Sequence, residues 1–147
     1  MVKLYLTIFV VNFIFSLNAN ALDSSPPEIS SFTFSPTEVD VTSQSSTVTL
    51  TARVSDDVGV TEGSNFRIWP TWDSDSSIWI TGTFVFKSGT AEDGEWEAVV
   101  DIPESTPAGE WKVWMTRGFK DAAGNYAVSN TTSGNLTIID NDTDNDG

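Results

Sequence analysis

Along residues 46–55 every second side chain is apolar: Val48, Leu50, Ala52 and Val54 alternate with Thr47, Thr49, Thr51 and Arg53. A two-residue period puts the two sets on opposite faces of an extended chain, so the segment reads as a strand with one face against a core. Its β-branched residues suit that geometry. The same period recurs between clusters of Gly, Asn, Asp, Ser and Pro. It predicts strands over roughly Glu28–Phe34, Ser46–Ser55, Asn65–Trp72, Ile78–Lys87, Glu95–Ile102, Glu110–Phe119 and Tyr126–Ile139, the last broken near Gly134. No helical stretch is expected after Pro26-Pro27. The phases assign Leu50, Ala52, Val54, Phe66, Ile80, Phe84, Val100, Trp111 and Val113 to the core, with Trp96 beside them and Trp72 in the core or at its rim.

Short strands at this spacing predict an all-β fold, an immunoglobulin-like antiparallel β-sandwich of about seven strands over residues 28–139. The Cys…Trp…Cys spacing of antibody domains is missing, because the chain has no Cys. Residues 1–21 read differently. Lys3 is the only charge before Asp23, Leu4 to Leu17 is nearly all apolar, and Ala19-Asn20-Ala21 is a small-x-small cleavage pattern. These are the parts of a secretory signal peptide cleaved after Ala21, and the apolar run is shorter than the roughly 20 residues that span a bilayer. Residues 22–27 form a linker, and the mature chain is expected to be secreted or held at the cell surface, with no membrane insertion.

Composition narrows the chemistry. The chain has no His and no Cys, which removes the usual zinc, haem and iron–sulfur sites, thiol nucleophiles and His-based triads. Without the leader, 6 basic residues face 21 acidic ones, a charge of −15. Such a chain repels nucleic acid and attracts hard cations bound by oxygen. Paired carboxylates would suffice for glycoside hydrolysis, but a general acid needs a cleft that raises its pKa, and none is expected. The chain is therefore read as no enzyme.

Three stretches in order carry a resemblance: "PPEISSFTFSPTEVDVTSQSSTVTLTARVSDDVGV", "SGTAEDGEWEAVVDIPESTPAGEWKVW" and "KDAAGN". Over about residues 26–128 the chain resembles bacterial Ig-like modules of secreted and cell-surface proteins. The resemblance implies a non-catalytic spacer or adhesion unit, with neighbouring domains of a longer chain, or a surface polysaccharide or protein, as partner. Some such modules bind calcium. The end, Asp140-Asn141-Asp142-Thr143-Asp144-Asn145-Asp146-Gly147, resembles the opening of a thrombospondin type 3 calcium repeat and stops at its Gly, as in a truncated repeat or a flexible acidic tail.

The predicted topology gathers Asp56, Asp57, Asp93, Asp121 and Asn125 at one pole beside Glu28. Like charges so placed favour a divalent cation, and calcium suits them because every donor is a hard oxygen. Asp56, Asp57, Asp121 and Asn125, with Asp142, Asp144 and Asp146 of the tail, are the candidate metal ligands. Asp and Asn also start turns by bonding their own backbone, so the same loops can form without metal. A second, more diffuse acidic group at the other pole would join Asp73, Asp75 and Glu104 to Asp140 and Asp142.

Trp69, Trp79 and Trp114 fall out of phase with the apolar rows. If Ile78–Lys87 begins at the edge beside Asn65–Trp72, they line up on the outer face of one sheet, where aromatic rings can stack on sugar rings, unless another segment or module covers them or a bulge near Gly118 changes the phase. This is the alternative reading, a carbohydrate-binding module. Asn130, Asn135 and Asn141 begin formal glycosylation sequons, relevant only in a eukaryotic secretory pathway.

Overall fold

The computed structural model describes residues 23–72, 78–128 and 132–142, and among them every regular element is a strand. In chain order these are β1 (Glu28–Ser35), β2 (Glu38–Asp40), β3 (Ser46–Ser55), β4 (Val60–Glu62), β5 (Asn65–Pro70), β6 (Ile80–Thr83), β7 (Val85–Gly89), β8 (Asp93–Ile102), β9 (Gly109–Arg117), β10 (Lys120–Asp121) and β11 (Thr132–Ile139). They make a four-stranded sheet ordered β1-β3-β8-β7, a five-stranded sheet ordered β2-β11-β9-β5-β6, and a small β10-β4 pair. All pairings are antiparallel except β2 with β11. No helix among the described residues is long and apolar enough to cross a membrane.

The alternation along β3 does what its period requires. Val48, Leu50, Ala52 and Val54 are fully buried, and the register sets the first three opposite Val100, Ala98 and Trp96 of β8. Phe66 and Ile68 of β5, Trp111, Val113 and Met115 of β9, and Leu136 and Ile138 of β11 join them in one cluster. Burying each Val, Leu, Ile, Phe or Met side chain contributes roughly 1.5–3 kcal/mol, so this shared interior holds the two large sheets together. Eight of the nine expected core residues are buried, and Ile80 packs against the cluster while partly exposed.

The segment expected as one strand over Ile78–Lys87 is two. β6 belongs to the five-stranded sheet and β7 to the four-stranded sheet, and the chain crosses between them at Phe84. The Phe84 N–H donates to the Ser64 carbonyl at 2.9 Å, and its ring sits 5.9, 5.9 and 5.6 Å from those of Phe32, Phe66 and Phe119. The crossing lies against Gly63, where an added Cβ would stand 1.8 Å from the Phe84 carbonyl oxygen. A bulky interior ring thus fixes where the strand changes sheet.

Three short strands, β2, β4 and β10, were not expected, and two expected ends move. Tyr126 makes only an isolated bridge with Lys120, and the last strand begins at Thr132 with its register shift before Gly134. Trp72 lies beyond β5 and is 55% exposed; it stands edge-on to Trp111 at 5.9 Å and covers Gly109.

Candidate functional site

The β10-β4 pair builds one pole of the molecule. Asp121 pairs with Val60, and the Ala122 N–H donates to the Gly59 carbonyl at 3.0 Å, which brings the turn after β10 beside the turn after β3. Each turn is closed by an aspartate. Asp56 Oδ1 accepts the N–H groups of Val58 (3.1 Å) and Gly59 (2.8 Å). Asp121 Oδ1 accepts those of Gly124 (2.5 Å) and Asn125 (2.8 Å). The positive φ of Gly124, 98°, completes the second turn.

A third aspartate arrives from the lead-in segment. Asp23 Oδ1 accepts the Ser25 N–H at 2.8 Å, while its Oδ2 and carbonyl accept from the Asn125 side-chain amide at 3.2 and 3.3 Å. The same amide donates to Asp121 Oδ2 at 2.8 Å and to the Ser25 carbonyl at 3.3 Å. One carboxylate oxygen each from Asp23, Asp56 and Asp121 then lies within 4.8 Å of the others. Oxygens that ligate one calcium ion at about 2.4 Å stand at most about 4.8 Å apart, so the spacing fits a shared ion. The turns leave one oxygen over: Asp56 Oδ2 is buried and has no hydrogen-bond partner among the described residues.

Asp121 is only 1% exposed. Burial on its own raises its pKa. The Asn125 side chain and the N–H groups of Asn125, Gly124 and Ala123 outweigh burial and hold the carboxyl below its ordinary value. A carboxylate so held is charged at neutral pH and needs no proton removed before meeting a cation. No basic side chain among the described residues pairs with the three aspartates; the ion pairs are Arg53 with Asp93, Lys87 with Glu95 and Glu97, and Lys120 with Glu62.

The expected ligand set is therefore brought together in part. Asp56, Asp121 and Asn125 meet, and Asp23 joins them unforeseen. Asp57 is exposed and lines a shallow hollow with Glu28, Asp56 and Glu92. Asp93 stands at this pole, as expected, opposite Ser55 in the register, but outside the cluster, its carboxylate held by Arg53 at 2.6 Å. Asp142 lies outside the cluster, with its N–H on Asp140 Oδ1 at 3.1 Å, and Asp73, Asp75, Asp144 and Asp146 lie outside the described residues.

The tryptophans occupy the outer face of the five-stranded sheet. Register pairs Arg67 with Trp114 and Trp69 with Lys112, and the rings of Trp69 and Trp114 meet edge to face at 4.6 Å. Both are half-buried, and the Trp114 indole nitrogen is buried without a partner among the described residues. Trp79, 50% exposed, lies with the Arg67 guanidinium 4.5 Å from its ring centre. Beside Arg67 a hollow of about 320 Å³ is lined by Asn65, Phe66, Arg67, Thr81, Gly82, Thr83 and Thr116. Arg67 was missing from the expected set, since nothing local in the sequence sets it apart from other basic residues.

No protein-family model, curated protein or solved structure matches the chain.

Proposed function

We propose that the chain is a non-catalytic extracellular module of immunoglobulin-like topology, a spacer or adhesion unit of a secreted or surface protein, with calcium clamping one pole. The strand orders support the topology: β1, β3, β8 and β7 stand as A, B, E and D, and β11, β9, β5 and β6 as G, F, C and C′. In this reading residues 1–21 are the secretory leader and residues 140–147 the start of a calcium repeat. Neighbouring domains or a surface partner engage the module from outside, and nucleic acid does not.

The observation that carries the clamp is the convergence of Asp23, Asp56 and Asp121 within 4.8 Å. Calcium takes six to eight oxygens in flexible geometry, so loop carboxylates and nearby carbonyls suit it better than magnesium, which demands near-octahedral placement. The ion would tie the lead-in segment, which carries Asp23, to two turns of the folded body. Calorimetric titration of calcium into the full chain tests this. One site is expected in the full chain and in a chain ending at Ile139, and its loss in Asp56→Asn. Binding that survives Asp56→Asn but vanishes with the tail would move calcium to residues 140–147 and end the clamp.

A second reading is favoured by the Arg67–Trp79 stack: the outer face of the five-stranded sheet acts as a carbohydrate platform. Trp69, Trp79 and Trp114 supply aromatic surface there, and the threonines beside Arg67 supply hydroxyls. Retardation in native gels containing soluble polysaccharides tests it, with Trp79→Ala as the variant that should be retarded less.

A further inference from the structure

We propose that the outer face of the five-stranded sheet binds an acidic polysaccharide, a polyuronate whose ring carboxylates meet Arg67 while its sugar rings lie against Trp79. This rests on the carbohydrate reading of the same face and adds the charge of the ligand.

Of the six basic residues outside the leader, Arg53, Lys87 and Lys120 are each paired with carboxylates. Arg67, Lys112 and Arg117 make no ion pair among the described residues, and all three lie on β5 or β9 of the five-stranded sheet. Arg117 is spent on Tyr126, stacked 4.7 Å over its ring and donating to its hydroxyl. Arg67 and Lys112 remain, on the face that carries the tryptophans. The four-stranded sheet presents the opposite sign: Asp93, Glu95, Glu97 and Asp101 alternate along β8 with its buried residues. Glu110 of β9 and Glu38 and Asp40 of β2 share the outer face toward its β2 edge, with Glu110 accepting from the Asn135 side-chain amide, so the unpaired positive charge is local to the β5 side around Arg67 and selects an anionic group there.

The form of the site selects a carboxylated sugar. Stacking on Trp79 fixes the Arg67 plane, and the guanidinium makes no hydrogen bond within the described residues, so its planar fork of donors is free for a carboxylate. Trp79 is 50% exposed, which leaves aromatic surface for a sugar ring. The hollow next to Arg67 is lined mainly by hydroxyls and an amide, with room at the small end of ligand clefts, about 300–1,000 Å³. An apolar peptide anchor would find little there; a polyhydroxylated ring finds partners. Lys112, beside Trp69 in the register, offers a second positive charge one strand away for the next acidic sugar.

The test is affinity electrophoresis of the full chain in gels containing sodium polygalacturonate or its methyl ester, all in chelator so that no calcium bridges protein and polymer. Retardation by the polyuronate is expected, with affinity about tenfold lower for the ester and a similar loss in Arg67→Ala, as befits a charge-assisted pair. Trp79→Ala should weaken both polymers alike. Both side chains are partly exposed, and near-ultraviolet circular dichroism verifies that the variants fold. Equal binding of acid and ester would overturn the acidic ligand and leave the carbohydrate reading standing. Binding of neither would end both, and polyuronate binding indifferent to Arg67→Ala and Trp79→Ala would place the polymer elsewhere and overturn the proposal.

Discussion

Asn125 and Asp121 hold each other by three bonds: Asp121 Oδ1 accepts the Asn125 N–H, Asp121 Oδ2 accepts the Asn125 side-chain amide, and the Asp121 N–H donates to the Asn125 carbonyl. The turn between them is closed from both ends. The same Asn125 amide reaches Asp23, 102 residues earlier, so one side chain joins the lead-in segment to the pole.

This arrangement sets a pH dependence. The Asp121 pKa is lowered in the folded chain from its ordinary value of 3.8. A carboxyl of that kind adds stability that is fully present above the ordinary value and is lost as the pH falls through the folded one. Thermal melting in chelator should therefore be level from neutral pH down to the mid-acid range and fall below about pH 4. The Asp121→Asn chain should melt lower at neutral pH and close the gap with the parent at the acid end. A gap that stays constant across the titration would contradict the assignment.

Phe84→Ala removes the ring around which the chain changes sheet. Deleting a buried Phe costs about 3–5 kcal/mol, whereas the adjacent Val85, 64% exposed, should cost under about 0.5 kcal/mol when cut to Ala. Urea unfolding of both variants measures the difference. Similar costs would mean that Phe84 is not the pivot.

Gly63→Ala and Gly124→Ala separate close approach from backbone conformation. At Gly63 the new Cβ would meet the Phe84 carbonyl oxygen, backbone that cannot swing aside; at Gly124 nothing lies within 4 Å and only the φ of 98° resists. Gly124→Ala should fold with a loss of order 1–3 kcal/mol. Gly63→Ala should lose the β6 to β7 crossing, seen as early hydrogen exchange at the Phe84 amide.

How much of this was legible in the sequence follows from range. β3 was readable to the residue because a period of two is a local signal and its partner β8 carries the same signal. In one continuous strand Ile80, Phe84 and Phe86 would share a face; Phe84 is buried and Phe86 is 48% exposed, because the phase is reset at the crossing. That reset depends on Ser64 and Gly63, some 20 residues earlier, and has no local mark. β2, β4 and β10 are three residues or fewer and exist only through distant partners. The acidic pole was legible as turns, since Asp56 and Asp121 bond their own loops. Asp23 was not, because its place depends on a contact 102 residues away.

Trp114 and Trp79 should part in their effects. Trp114 packs edge-on against Trp69, an arrangement worth about 0.5–1.5 kcal/mol beyond the buried area, so Trp114→Ala should destabilise clearly. Trp79→Ala should leave the melting temperature nearly unchanged, since the residue is half exposed. Equal destabilisation by the two would make Trp79 a structural residue and weaken the platform.

Whether calcium clamps Asp23, Asp56 and Asp121 is decided by melting of the full chain in millimolar calcium, in magnesium, and in sodium chloride of matched ionic strength. A bound ion stabilises the folded chain by mass action, about 2.7 kcal/mol at a hundred times its dissociation constant, whereas screening of surface charge responds to ionic strength alone. A clamped ion gives a higher melting temperature in calcium than in either comparison, retained when the chain ends at Ile139 and abolished in Asp56→Asn. Equal melting in all three salts would contradict it and leave the three aspartates as turn residues.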